Sequence, residues 1–240
     1  MTKFNQYFRL LKSSALKFEK QEMNYKAVIF DLDGTLLDTL EDIADATNSV
    51  LSRFGFPQHN LQTYKYFVGE GIGKLIQRAL PQKKFEEDFI THCVTLMRSE
   101  YSKTWTKKTR LYPEVPDILD SLTNQGIKMA ILSNKPDDFT KEMVANFLMK
   151  WQFSIVQGEK PFVPKKPDPS AALGIAKNLK LPPRTFLFLG DSEVDMKTAL
   201  AAGMYPVGVL WGFRTAEELI ASGAKVLIKN SADLINIITQ

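Results

Sequence analysis

The sequence predicts a doubly wound α/β fold: a Rossmann-like parallel-sheet core with an inserted α-helical domain. Three features predict it. Six apolar runs of four residues are continuous rather than alternating, as strands covered on both faces are. Helical patterns separate most of them, and strand–helix–strand repetition implies a parallel sheet. One interval of about a hundred residues, Asp31 to Lys128, has helical periodicity and no convincing strand.

In chain order, the first strand is Ala27–Phe30. Helical candidates then start near Leu40, Asn60, Gly73 and Phe85, within an insertion spanning 39–112. Tyr112-Pro113 marks the return to the core. Val115, Ile118, Leu119 and Leu122 form an apolar helical stripe that ends at Gly126. The second and third strands are Met129–Leu132 and Phe153–Val156, followed by a helix on Ala171, Ala172, Ile175, Ala176 and Leu179. The last three are Phe186–Leu189, Val207–Leu210 and Lys225–Ile228. A chain of 240 residues therefore divides into an N-terminal extension (1–22), a core (23–38 and 113–240) and the helical insertion.

In the extension, Phe4, Tyr7, Phe8, Leu11, Ala15 and Phe18 recur at helical spacing with basic residues between them. That pattern suits a basic amphipathic helix on an anionic membrane or against the domain, or a loosely attached extension. The extension holds five basic and two acidic residues, leaving 26 basic against 25 acidic in the rest. A nearly neutral folded part argues against a nucleic-acid partner. No run approaches the roughly 18 apolar residues of a spanning helix, so no transmembrane segment is expected. Cys93 is the only cysteine, which excludes an internal disulfide or cysteine zinc site and suggests a reducing, cytoplasmic compartment. Adjacent His92 and Cys93 diverge by about 100° on a helix and make a poor metal pair. His59 reads as a solvated loop residue.

In open α/β sheets, ligands bind beyond the carboxyl ends of the strands. There the first strand delivers Asp31-Leu32-Asp33-Gly34-Thr35, the second Ser133-Asn134-Lys135, and the fourth Gly190-Asp191-Ser192-Glu193-Val194-Asp195. Lys166, in Lys165-Lys166-Pro167, precedes the helix before that fourth strand. Taken singly, Asp-Gly is a turn, Ser-Asn a helix cap and Pro-Asp-Pro a loop. Together they concentrate four carboxylates, which repel one another unless a cation joins them. An all-oxygen donor set suits a hard ion, Mg²⁺ foremost. A lysine, a serine and free backbone amides suit phosphate.

These four segments resemble, in order and spacing, the four motifs of the haloacid dehalogenase superfamily, over essentially all of 23–240. The resemblance implies that Asp31 is the nucleophile and Asp33 the general acid and base. Mg²⁺ would be held by the Asp31 carboxylate, the Asp33 carbonyl and Asp191, with Asp195 in support. Ser133 would bind a phosphoryl oxygen, and Lys166 would offset the negative charge. The Lys-Pro pairing favours Lys166 over Lys165. Gly34, Thr35 and Asn134 would also reach the substrate. An acid at position 33 fits phosphate esters, whose alkoxide leaving group needs a proton, and not carbon–halogen bonds.

The insertion occupies the place of that superfamily's helical cap. Its run from Phe67 to Leu80, with Gly69, Gly71 and Gly73, admits a close backbone approach to a small substrate or simply makes a helix–helix turn. The run resembles the cap loop of phosphoglycolate phosphatases, as do Leu111-Tyr112-Pro113 and Trp211-Gly212-Phe213-Arg214. The implied substrate is a small phosphorylated acid, 2-phosphoglycolate foremost. Pyrophosphate, nucleotides, sugar phosphates, a phosphosugar mutase and a non-catalytic phosphate-binding protein are the alternatives. Glu70 sets a negative charge in the loop that should meet a carboxylate. Arg214 orients a loop near the site or covers apolar surface. The oligomeric state is left open.

Overall fold

The computed structural model describes residues 25–239, so the basic segment 1–22 lies outside it. A six-stranded sheet runs in the order β5-β4-β1-β6-β7-β8 with every pairing parallel. Its strands are β1 (Ala27–Phe30), β4 (Lys128–Pro136), β5 (Ile155–Glu159), β6 (Phe186–Gly190), β7 (Tyr205–Val209) and β8 (Val226–Ile228).

Continuous apolar runs are required because both faces are covered. Val28 and Phe30 pack into one hydrophobic cluster with helix α5 (Val115–Asn124), while Ala27 and Ile29 pack into another with α7 (Ser170–Leu179) and α8 (Glu193–Ala201). The chain leaves β1 for β4 on one side and reaches β6 on the other. The carboxyl ends of these three neighbours form the topological switch point where ligand crevices occur.

Four helices lie between β1 and α5: α1 (Leu40–Arg53), α2 (Leu61–Phe67), α3 (Ile72–Ala79) and α4 (Glu87–Tyr101). They share a separate hydrophobic cluster that includes Ile43, Val50, Tyr64, Ile76 and Met97. Phe139 of helix α6 (Asp137–Phe147) and Phe213, both from the sheet-bearing part, join that cluster. The interval from Asp31 to Lys128, which reads as strand-free in the sequence, contains an antiparallel pair, β2 (Leu37–Asp38) and β3 (Arg110–Leu111). Two-residue strands are too short to carry a periodicity signal. This ribbon closes the base of the four-helix segment, and Arg110 pairs with Asp38 across it at 2.8 Å.

His59 also departs from the sequence expectation. Its ring is 5.1 Å from the Phe67 ring and its Nε2 lies 2.8 Å from the Ala79 carbonyl oxygen, so it helps pack the helices. Among the described residues, no helix is long and apolar enough to cross a membrane.

Candidate active site

Asp31 follows β1 directly, and its backbone N–H donates to the Leu189 carbonyl, extending the ladder by one residue. The chain then turns sharply. The N–H groups of Leu36 and Leu37 donate to the Leu32 carbonyl and that of Gly34 to Leu37. Gly34 sits at φ +82°, and a Cβ there would lie 2.3 Å from Asp191 Oδ2. Glycine thus permits both the turn and the close approach of the β6 tip.

At that tip, Ser192 caps α8. Its hydroxyl donates to Asp195 Oδ2 at 2.5 Å, and its backbone N–H donates to the same oxygen at 3.1 Å. This reciprocal cap fixes Asp195 one helical turn beyond Asp191. Asp31, Asp191 and Asp195 each bring a carboxylate oxygen within 4.8 Å of the others, and all three are buried.

Lys166 Nζ stands 2.9 Å from Asp31 Oδ1 and 2.6 Å from Asp195 Oδ1. Lys165 turns away and pairs with Glu159 at 2.8 Å, so geometry separates the two neighbouring lysines. Burial alone would lower the Lys166 pKa, but Asp195 and Asp31 outweigh it and hold the ammonium charged. One lysine does not satisfy the cluster. Burial and then Asp195 push Asp31 up to about 7 despite Lys166. Burial, then Asp195 and Asp31, raise Asp191 well above the usual carboxylate range. This crowding is the electrostatic condition that a hard divalent cation relieves, and the oxygen-only donor set fits one.

A cavity of ≈ 60 Å³ opens between these strand tips and the inserted helices. Asp31, Asp33, Ser133, Asn134 and Asp191 border it from the sheet side, and Gly69 and Gly71 from the insertion. Gly34 and Thr35 do not border it. Their N–H groups are spent inside the turn, on Leu37 and Leu32, rather than offered to a ligand. The Asn134 side chain is also committed. It accepts from the Lys166 N–H at 2.9 Å and donates to the carbonyls of Lys166 (2.9 Å) and Gly69 (3.1 Å). It therefore ties the lysine loop to the insertion. Glu70 pairs with Arg78 at the far end of α3 and lies off the cavity wall, which removes the conflict its charge posed.

Two groups escaped the sequence reading. Lys135 lies in the polar tail of β4, beyond its apolar run. Its Nζ is 3.0 Å from Asp33 Oδ1 and 2.9 Å from the Tyr101 hydroxyl. Thr39, at the start of α1, donates its hydroxyl to Asp33 Oδ1 at 2.8 Å. Only the adjacency Ser133-Asn134-Lys135 hinted at the first, and nothing at the second. Both reach Asp33 across folds of the chain that a linear pattern does not encode.

The sequence matches the family model of the haloacid dehalogenase-like hydrolases over residues 28–209, and the chain belongs to that family. It is 34% identical over 197 residues to a phosphoglycolate phosphatase from Nitrosospira multiformis, covering 81% of this chain and 87% of that one. A phosphoglycolate phosphatase from Aliivibrio fischeri is 31% identical over 207 residues, 84% of this chain and 91% of its own. Among solved structures, a predicted phosphoglycolate phosphatase from Haemophilus somnus superposes with a TM-score of 0.83 at 30% identity, covering 90% and 99% of the two chains. The chain is a phosphatase of the haloacid dehalogenase type.

Proposed function

We propose that this chain is a Mg²⁺-dependent phosphomonoesterase for a small phosphorylated acid, 2-phosphoglycolate foremost, and that it works through an aspartyl-phosphate on Asp31. The observation that carries the proposal is the placement of Asp31 and Asp33 on one turn lining the cavity, with Lys166 2.9 Å from Asp31. A nucleophilic carboxylate and an anionic phosphoryl group repel each other. A charged lysine beside the carboxylate offsets that repulsion where charge builds in the transition state.

In the first step an Asp31 oxygen forms a bond to phosphorus while the ester P–O bond breaks. Asp33 gives its proton to the departing oxygen. In the second step Asp33 takes a proton from water, the water oxygen bonds to phosphorus, and the P–O bond to Asp31 breaks to free inorganic phosphate. The Ser133 hydroxyl donates to a phosphoryl oxygen. The Asp31 and Asp191 carboxylates and the Asp33 carbonyl are the groups that would hold Mg²⁺, with Asp195 in support through Lys166. When bound, the ion supplies positive charge against both the carboxylate crowd and the phosphoryl oxygens.

We read segment 39–112 as a cap that closes this chemistry off from bulk water. The relatives named phosphoglycolate phosphatase, at 31–34% identity, support 2-phosphoglycolate as the substrate. The test is phosphate release with Mg²⁺ over 2-phosphoglycolate, pyrophosphate, nucleoside monophosphates, hexose phosphates and p-nitrophenyl phosphate. The proposal expects 2-phosphoglycolate to show the highest kcat/KM. A higher value for another ester removes the substrate assignment. No turnover of any ester removes the catalytic one.

A further inference from the structure

Lys135 is a buried ammonium whose full donor capacity is not spent on the protein. Its side chain is 5% exposed, and its Nζ lies 3.0 and 3.3 Å from the two Asp33 oxygens and 2.9 Å from the Tyr101 hydroxyl. An ammonium carries three hydrogens. One shared between the Asp33 oxygens and one given to Tyr101 leave a third, with no further acceptor in reach among the described residues. Lys135 also lines the cavity, beside the groups that would meet substrate. Burying a cation this deeply is costly unless its charge is matched, and Asp33 is its only carboxylate partner among the described residues.

Its position follows from the chemistry of Asp33. To protonate the leaving oxygen, Asp33 must stand within about 3 Å of it. In a 2-phospho acid the carboxylate carbon is two bonds from that oxygen. A carboxylate there falls within reach of a cation that is itself 3.0 Å from Asp33. Arg214, the other cation on the cavity wall, donates to the carbonyls of Lys65 and Val68 and is held on the insertion.

We propose that Lys135 is the specificity determinant of this site: its ammonium pairs with a substrate carboxylate one carbon from the ester oxygen and so selects 2-phospho acids over neutral esters. Tyr101, which accepts from Lys135, belongs to α4, so the inserted helices help place the ammonium. The inference rests on the proposed role of Asp33 and deepens the proposed substrate class.

The test is a two-by-two comparison of wild type and Lys135→Gln on 2-phosphoglycolate and its neutral amide, 2-phosphoglycolamide, with Mg²⁺. In wild type the acid is expected to be preferred by about 100-fold in kcat/KM, the scale of one charge-assisted hydrogen bond. In the variant both rates fall through the loss at Asp33, and the preference collapses to about threefold or less. An unchanged preference overturns the proposal, as does a preference that disappears in Arg214→Gln instead. Should Lys135→Gln fail to fold, Lys135→Arg must keep the preference. In wild type, glycolate must then compete with substrate and glycolamide must not; equal competition by the two overturns the proposal. A wild type that cleaves neither compound fails the substrate reading itself, and the Lys135 assignment falls with it. A wild type that cleaves 2-phosphoglycolate but keeps its preference in Lys135→Gln fails the Lys135 assignment alone.

Discussion

Lys165 and Lys166 are chemically alike and adjacent, yet one is buried between two carboxylates and the other pairs at the surface with Glu159. Lys166→Met is expected to lower kcat by about a thousandfold, because it removes charge stabilisation from a water-poor site. Lys165→Met is expected to stay within about twofold, as losses of exposed ion pairs do. Steady-state kinetics on the two variants checks both. Asp33 offers a second contrast. As a proton donor it matters most when the leaving group is basic. Asp33→Asn should therefore lose about 10²–10⁴-fold on an alkyl phosphate and distinctly less on p-nitrophenyl phosphate, whose phenolate leaves unaided. Equal losses on the two esters contradict the acid role.

Among elements, the loop Trp211–Arg214 after β7 ties the carboxylate cluster to the inserted helices. The Phe213 N–H donates to Asp191 Oδ2 at 2.7 Å, Trp211 Nε1 donates to the Thr35 carbonyl at 3.0 Å, and Arg214 caps carbonyls at the end of α2. A cation on the last carbonyls of a helix complements its dipole. A Cβ at Gly212 would lie 2.2 Å from Asp191 Cβ and 2.5 Å from the Gly34 carbonyl oxygen. Gly212→Ala is therefore expected to destabilise the protein by about 1–3 kcal/mol and to weaken Mg²⁺ binding. Thermal melts and a Mg²⁺ titration read the two effects. The sequence shows this loop's composition but not its reach, and it leaves Arg214 between orienting a loop and covering surface. By contrast, the positions of β1, β4 and β6 are legible, because parallel strands buried on both faces need unbroken apolar runs. The β2–β3 ribbon and the polar end of β4 are not, being too short or too polar for hydropathy to register. The motif carboxylates are legible by spacing. The partners of Asp33 come from the residue that opens α1 and from β4, with Tyr101 of α4 reaching it through Lys135, and only the fold brings those together.

At the scale of the whole molecule, the carboxylate cluster couples stability to pH and to metal. Burial and Asp195 raise the Asp31 pKa to about 7, above its value of about 4 in an unfolded chain. Between those values the metal-free folded protein holds a proton that the unfolded chain has released. The stability this contributes is full below about pH 4 and is lost as pH rises through about 7. Metal-free protein should melt at lower temperature at pH 8 than at pH 5. The pH slope should be shallower in Asp31→Asn, and added Mg²⁺ should raise the melting temperature more at pH 8. A slope identical in the variant contradicts the electrostatic account of the cluster. Whether this sheet edge cleaves phosphate esters through Asp31 is read by acid-quenching the enzyme during turnover of 2-phosphoglycolate with Mg²⁺ and mapping the peptide that contains Asp31 by mass spectrometry. A phosphoryl adduct is expected on Asp31, absent without substrate and absent in Asp31→Asn, which is also inactive. Turnover with no adduct, together with a fully active Asp31→Asn, would contradict it.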